Sequence, residues 1–168
     1  MTLNAGFNEV FFTDVTVPQE NIVGKRGEGW AVANATLSHE RGSLSDPNAM
    51  MNRLNSLIEI MKNETINGQK AIDNPVYKDK LMKIQGKVIA FQSNSLRVLS
   101  AKLNKNQDTK IAGMIQKLNG TELRHELEGF AIDVMGELGT LYENSPNIRD
   151  GGSWPVSYTH LRAHETNS

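Results

Sequence analysis

Residues 74–103 read NPVYKDKLMKIQGKVIAFQSNSLRVLSAKL, and this stretch is the strongest indication of fold class in the chain. Asn74 followed by Pro75 signals a helix start, because the asparagine side chain can cap free backbone donors and proline needs no donor at the first helical position. Apolar residues then recur at helical spacing in one long stripe, made of Tyr77, Leu81, Ile84, Val88, Phe91 and Val98. A second flank of leucines, Leu96, Leu99 and Leu103, predicts a helix that is buried on more than one side.

The segments on either side show the same periodicity, so residues 28–139 are predicted to be helical with short breaks. Three further stripes lie at helical spacing: Trp30, Ala33, Leu37 and Leu44; Met50, Leu54, Leu57, Ile58 and Met61; and Ile111, Ile115, Leu118, Leu123, Leu127, Phe130 and Val134. Breaks are expected near residues 42–47, 63–74 and 104–108, and the last helix is expected to end at residues 136–139. Long helices with short connections predict an all-α, antiparallel helical bundle.

The two ends of the chain differ from this helical centre. Phe7 to Pro18 contains β-forming residues, which predict one strand or two short ones. A lone strand lacks a partner for its backbone groups, so we expect this arm to belong to a sheet outside the chain. Residues 144–155 are predicted to be an irregular loop. Residues 156–168 include the string SYTHLRAHET, which resembles translated adapter or vector sequence, and they are predicted to be a non-native tail.

The composition excludes several classes of function. The net charge of −1 argues against a nucleic-acid-binding surface, and the absence of cysteine excludes disulfides and thiolate chemistry. No apolar run approaches the roughly 20 residues that a membrane helix needs. Residues 1–6 lack the features of a signal peptide. A soluble protein of the cytoplasm, with neither a nucleic-acid partner nor a membrane span, is the resulting expectation.

Glu40 is the most informative polar residue, because it continues the apolar stripe of Trp30, Ala33 and Leu37. An ionised carboxylate is costly to bury, so one in this position is usually paired with a cation or has a catalytic task. Periodicity alone favours the ion pair. The catalytic alternative needs independent support.

Weaker signals come from three other groups. Glu122 and His125 have the Glu-x-x-His spacing of di-iron bundles, but such sites need two motifs of this kind, and only one occurs before residue 156. A ferritin-like metal bundle therefore has little support, and no metal is expected. The glycines at 24, 27 and 29 are interpreted as a turn that leads into a helix. Three lysines, at 102, 105 and 110, are interpreted as a solvated face.

Two stretches resemble acyl-CoA dehydrogenases. Residues 8–42, NEVFFTDVTVPQENIVGKRGEGWAVANATLSHERG, resemble the junction between the middle β-domain and the C-terminal helical domain of that family. Residues 115–139, IQKLNGTELRHELEGFAIDVMGELG, are similar to a later helix of the same domain and the turn that follows it. The resemblance implies that residues 1–26 are the end of the middle domain and its linker, and that residues 27–143 are the C-terminal bundle.

The resemblance also implies a reaction and its participants. Family members dehydrogenate acyl-CoA thioesters with FAD, pass electrons to an electron-transfer flavoprotein or similar acceptor, and assemble as homotetramers or dimers. Glu40 matches the position of the catalytic base in some members, and Arg41 matches an adjacent arginine that shapes the substrate site. The alternative is a non-catalytic helical assembly module, in which Glu40 makes only an ion pair at an interface.

The family turn that approaches the FAD diphosphate, Q-x-x-G-G-x-G, corresponds to Asp133, Gly136, Glu137 and Gly139. Asp133 replaces the glutamine, and Glu137 replaces the second glycine. A carboxylate repels a diphosphate, so these substitutions weigh against cofactor contact. The family motif R-x-x-F-G is also missing around residues 65–70.

Overall fold

The computed structural model describes residues 9–43, 46–104, 110–141 and 145–165, without the side chains of residues 38–43, 110 and 160–165. The chain divides into two compact units, Met1–Leu44 and Ser45–Ser168.

The first unit contains one long helix. A short 3₁₀ helix, Gln19–Asn21, precedes a turn in which Gly24 and Gly27 have positive φ, and helix α1 then spans Gly29–Ser43. The predicted turn into a helix is thus confirmed. Residues 9–18 form no strand, contrary to the prediction for that part of the arm, and residues 1–8 lie outside the described residues. Among the described residues, no strand pairs with this segment to supply hydrogen bonds, which is the physical reason for the difference.

The second unit holds the other helices, which confirms the all-α prediction. Helices α2, Pro47–Asn63, α3, Pro75–Leu103, α4, Lys110–Met135, and α5, Ser153–Glu165, follow one another along the chain. Strands β1, Thr65–Ile66, and β2, Gln69–Lys70, form a small antiparallel hairpin. Short 3₁₀ helices span Ala71–Asp73, Gly136–Thr140 and Asp150–Gly152. Among the described helices, none combines the length and hydropathy needed to cross a membrane.

The starts of α2 and α3 follow from their sequences. The Asp46 side chain accepts a hydrogen bond from the backbone N–H of Asn48 at 2.9 Å, and Pro47 occupies the first helical position. Asn74 in the same way accepts from the N–H groups of Val76 and Tyr77. These caps satisfy donors that a helix cannot pair internally, so they fix where both helices begin.

The hairpin between α2 and α3 was predicted only as a loop. Asn67 and Gly68 both have positive φ, 51° and 82°, as a two-residue hairpin turn requires. An Asn-Gly pair is the common signal for that turn, but each strand is only two residues long and shows no alternation. The Asn67-Gly68 pair was therefore the only evidence in the sequence for a hairpin at this position.

The hydrophobic core lies among α2, α3 and α4. It contains Met50, Leu54, Leu57, Met61, Ala71, Leu81, Ile84, Val88, Phe91, Leu123, Leu127, Phe130, Ala131, Val134, Met135 and Trp154. Helices α3 and α4 are antiparallel, because Lys80 pairs with Asp133 and Lys87 pairs with Glu126. The predicted stripes of α2, of the first half of α3 and of the second half of α4 are thus confirmed as core.

Three packing predictions were wrong. The second flank of α3 is exposed, with Leu96 at 60% and Leu103 at 74%, because no described element of the second unit covers it. The first half of the α4 stripe is exposed for the same reason, with Ile111 at 71% and Ile115 at 53%. On α1, Trp30 is 79% exposed, so its stripe is not a buried face within the first unit.

Helix α5 begins where residues 153–155 were predicted to be irregular. Trp154, in its first turn, is completely buried and packs with α2 and α4. One large aromatic ring supplies the core contact that periodicity could not reveal in so short a segment. The helical conformation of residues 156–165 does not bear on where this segment comes from, so the non-native origin of residues 156–168 stays a prediction.

Candidate functional site

The connector before α1 sets the position of the helix that carries the predicted base. Gly24 has φ +78°, and a Cβ atom there would lie 3.0 Å from the Val32 side chain. Both the left-handed backbone and the close approach require glycine at this point. The Lys25 N–H donates to the carboxylate of Glu28 at 3.4 Å, just ahead of the first turn of α1.

Glu40 and Arg41 both lie within α1, but their side chains are outside the described part of the structure. Leu37, which lies three residues before Glu40, is 41% exposed. The helix that carries the predicted base therefore has solvent-accessible apolar residues within the first unit. Their roles as base and substrate-site arginine stay predictions.

The predicted cofactor residues are all described, with Asp133 in the last turn of α4 and Gly136 and Gly139 in the turn that follows it. Gly136 has φ +55°, and nothing lies within 4 Å of the position where a Cβ atom would be. Gly139 is buried, and a Cβ atom there would lie 3.2 Å from the backbone oxygen of Ile132. Gly136 thus leaves open space beside the backbone, whereas Gly139 packs the turn against the end of α4.

The two acidic substitutions in this turn have different surroundings. Asp133 forms an ion pair with Lys80 of α3, with Nζ to Oδ2 at 2.8 Å. The same ammonium group lies 4.7 Å from the centre of the Phe130 ring. Glu137 is exposed, and among the described residues no ion pair includes it.

The fit to an FAD diphosphate can be judged from this geometry. The backbone fits, because Gly136 offers an open approach with no side chain in the way. Lys80 offsets the charge of Asp133, so the negative charge left at the turn belongs to Glu137. The turn could therefore hold a diphosphate through backbone groups, with Glu137 weakening the attraction.

The Glu-x-x-His pair does not converge on one site. Glu122 lines a cleft of about 300 Å³ between α3 and α4, beside Lys87 and Glu126. His125 stacks on Tyr158 of α5 with ring centres 4.1 Å apart. Within the described ranges, no three His, Asp or Glu side chains are grouped as metal ligands would be. Of the predicted lysine face, Lys102 is exposed, and Lys105 and the side chain of Lys110 lie outside the described residues.

A buried polar cluster joins α2, α4 and α5, and the sequence reasoning missed it. Its centre is Glu128, which is completely buried. Its Oε1 atom accepts from Nε of Arg124 at 3.0 Å and from the hydroxyl of Ser157 at 2.6 Å, and it lies 3.7 Å from Nε of Arg53. Oε2 of the same carboxylate is buried and has no hydrogen-bond partner among the described residues.

Arg53 connects this cluster to the start of α5. Its guanidinium lies 3.4 Å from the centre of the Trp154 ring and donates to the Ser153 hydroxyl at 3.1 Å. Burial lowers the pKa of Arg53 from its usual value, while Glu128 and Asp150 act in the opposite direction. The only local sign of this buried cluster in the sequence was the i, i+4 spacing of Arg124 and Glu128, which allows an ion pair along one helix. The partners on α2 and α5 are remote in sequence and could not be inferred.

The chain resembles known proteins along nearly its whole length. The model of the acyl-CoA dehydrogenase C-terminal domain matches residues 27–164. Acyl-CoA dehydrogenase IpdE1 of Mycolicibacterium smegmatis is 30% identical over 97% of this chain and 38% of its own length. The mitochondrial very long-chain specific acyl-CoA dehydrogenase of Rattus norvegicus is 28% identical over 81% of this chain and 21% of its own length.

A solved structure shares the fold. The ChsE4-ChsE5 complex from Mycobacterium tuberculosis contains a chain that matches 94% of this one with a TM-score of 0.72 at 24% identity. The match covers 41% of that chain. The present chain thus spans about two fifths of the length of IpdE1 and of the matching chain in the ChsE4-ChsE5 complex.

Proposed function

Because this chain belongs to the acyl-CoA dehydrogenase family, whose C-terminal domain it matches from α1 to α5, we propose that it is the helical part of an enzyme that dehydrogenates an acyl-CoA thioester. The single observation that supports this function is that match, which includes the five long helices among the described residues. It extends over residues 27–164, far beyond one short motif.

Glu40 is the proposed catalytic base. Removal of a proton from the carbon next to the thioester carbonyl needs a carboxylate held close to that carbon. Glu40 lies near the end of α1, in the Glu-Arg pair at residues 40 and 41 that matches the base position of some family members. Arg41 is proposed to shape the substrate site beside it.

FAD is the proposed cofactor, and when bound it would supply a hydride acceptor for the β-hydrogen of the substrate. The turn at residues 136–139 is proposed to approach the FAD diphosphate of a neighbouring subunit. The open backbone at Gly136 and the packed Gly139 support this role, and Lys80 offsets the charge of Asp133. Domains outside this chain would supply the other flavin and CoA contacts.

Substitution of Glu137 by glutamine should strengthen FAD binding by the complete enzyme on the order of fivefold, because it removes a charge that repels the diphosphate at short range. The measurement is a titration of flavin fluorescence against apoenzyme. Glu122→Gln, on the exposed surface of α4, is the matched control and should leave the affinity unchanged. Equal affinities for Glu137→Gln and the unsubstituted protein would mean that the turn does not approach the cofactor.

The partners and compartment are also proposals. Electrons are proposed to pass to an electron-transfer flavoprotein or a similar acceptor, and the enzyme is proposed to assemble as a homotetramer or dimer. The structural likeness to a chain of the ChsE4-ChsE5 complex supports assembly from several chains. The cytoplasm is the proposed compartment.

The experiment that tests the function is a flavin spectrum. We would purify this chain, and the same chain joined to the preceding family domains, each with excess FAD. The expected result is bound flavin in the longer protein, with bleaching of its absorbance when acyl-CoA is added under anaerobic conditions. If neither protein binds flavin, the dehydrogenase proposal is rejected and the helical assembly module takes its place.

A further inference from the structure

The sequence contains two Asn-Gly pairs, and the structure places them in opposite surroundings. Asn67-Gly68 forms the turn of the β1–β2 hairpin, whereas Asn119-Gly120 lies in the interior of α4. When glycine follows asparagine, its backbone nitrogen can approach the asparagine carboxamide closely, because glycine has no Cβ atom in the way. The two pairs share this chemistry, so any difference in their reactivity comes from the fold around them.

The hairpin pair lies in an open turn. Asn67 and Gly68 are both exposed, and nothing lies within 4 Å of the position where a Cβ atom of Gly68 would be. Within the described ranges, neither the Asn67 side chain nor the Gly68 N–H makes a hydrogen bond. The strands on either side are only two residues long, so they offer little resistance to rotation within the turn. The Gly68 nitrogen can therefore reach the Asn67 carboxamide without unfolding the bundle.

The helical pair is restrained by its backbone. Asn119 and Gly120 lie more than two turns from either end of α4, where each backbone N–H is bonded to the carbonyl four residues earlier. Gly120 is also buried, although the Asn119 side chain is exposed like that of Asn67. Approach of the Gly120 nitrogen to the Asn119 carboxamide would break a helix hydrogen bond and open the middle of α4. Such an opening is far rarer than the movement of a surface turn.

We propose that Asn67 is a site of spontaneous covalent modification by deamidation, and that α4 protects Asn119 from the same reaction. The Gly68 nitrogen attacks Cγ of Asn67, the Cγ–Nδ2 bond breaks, and the proton of the attacking nitrogen leaves with the amide as ammonia. A cyclic imide remains. Water then opens this ring at one of its two carbonyl carbons, so the reaction needs no co-reactant other than solvent.

The two products differ in their backbone. Opening at Cγ gives an ordinary aspartate, whereas opening at the main-chain carbonyl gives isoaspartate, in which the chain continues through the former side chain. Both add a negative charge to a chain whose net charge is −1. Isoaspartate also adds one main-chain carbon to a two-residue turn, and turn length fixes the register of a hairpin. Ile66 of β1 packs against the core, so a change of register there disturbs core packing.

This inference goes beyond the proposed dehydrogenase function and does not rest on it. Its test follows the covalent state of two asparagines, without flavin or substrate. Failure of one proposal therefore leaves the other unaffected.

The first test is incubation of the folded, whole chain in mildly alkaline buffer, followed by tryptic digestion and mass spectrometry. Cleavage after lysine and arginine places the two pairs in separate peptides, residues 63–70 and 118–124. Conversion of amide to acid should accumulate about tenfold faster, or more, in the first peptide, because the second requires opening of a helix. Fragment ions assign the change to Asn67, and a sample digested without incubation corrects for reaction during digestion.

The matched control is the same incubation in urea, which unfolds α4 and removes its protection. The two peptides should then react at similar rates. Equal rates in the folded chain would overturn the proposal, as would a folded hairpin that reacts only after unfolding. A rate ratio that persists in urea would assign the difference to neighbouring residues and contradict a role for the fold.

The second test concerns the consequence for stability. Asn67→Asp has the charge of the product with an ordinary backbone, and Asp-Gly suits the same turn. The isoaspartate form, separated from the incubated chain by ion exchange, should unfold at a lower urea concentration than this variant. Equal midpoints would show that the turn is not coupled to the core through Ile66.

Discussion

Replacement of Glu40 by glutamine in the complete enzyme is expected to lower kcat by about 10²–10⁴-fold. Glutamine has nearly the same shape as glutamate but cannot accept the substrate proton, so the loss should fall on the chemical step. kcat and kcat/KM should decrease together, since the missing interaction forms only in the transition state. Stopped-flow measurement of flavin reduction by acyl-CoA would report that step directly.

The control for this variant is Glu28→Gln, an exposed glutamate that lies just ahead of the first turn of α1. Glutamine can still accept the hydrogen bond from the Lys25 backbone, so turnover should be unchanged. The assembly-module alternative makes the opposite prediction for Glu40→Gln: flavin reduction persists and the oligomer dissociates. Size-exclusion chromatography of the same samples separates the two interpretations.

Substitution of Glu128 by alanine is expected to destabilise the chain by about 3–5 kcal/mol, the usual cost of removing one partner from a buried ion pair. The change would leave the guanidinium of Arg53 without the buried carboxylate beside it. Because the Arg53 side chain is only 20% exposed, water cannot fully replace that partner. A cavity at a completely buried position would add to the loss. Urea denaturation followed by circular dichroism measures this difference in the free energy of unfolding.

A neighbouring carboxylate provides the comparison. Glu126, two residues earlier on α4, pairs with Lys87 at 2.6 Å, but both side chains are more than a third exposed. Glu126→Ala should therefore cost at most about 1 kcal/mol, as surface ion pairs do. Equal losses for the two variants would show that the Glu128 cluster does not hold α2, α4 and α5 together.

A double variant separates charge from packing at the same site. Replacement of both Arg53 by methionine and Glu128 by leucine removes the buried ions as a pair, and such exchanges are often close to neutral. The double variant should therefore be more stable than the sum of the two single losses implies. A strictly additive result would mean that the two side chains act independently.

The parts of the fold that the sequence predicted correctly are those governed by local chemistry. Asn74 and Pro75 fix the start of α3 through hydrogen bonds within one turn, so short-range pattern was sufficient. The stripe of Leu81, Ile84 and Val88 faces the core, because helix geometry alone puts these residues on one side.

The parts that were missed depend on contacts between distant residues. Trp154 is buried with its ring against the guanidinium of Arg53, which is remote from it in sequence. Leu96 and Leu103 were predicted to be buried because their spacing puts them on one face of α3. The spacing does not show whether another element covers that face, and both side chains are exposed. The end of α4 at the glycine turn was predicted correctly, whereas the pairing of Lys80 with Asp133 joins two helices and had no sequence signal.

The distribution of buried residues along α3 has a consequence for how the native chain opens. The helix continues to Leu103, but its fully buried side chains end at Phe91. Beyond that point Gln116 of α4 holds the helix by donating hydrogen bonds to the backbone oxygen of Phe91 and to Ser95. Backbone amides between Leu81 and Phe91 are therefore expected to exchange with solvent deuterium only when the bundle unfolds, whereas those near Leu103 should exchange through local fraying. Helix α3 is thus continuous in geometry and graded in thermodynamic protection.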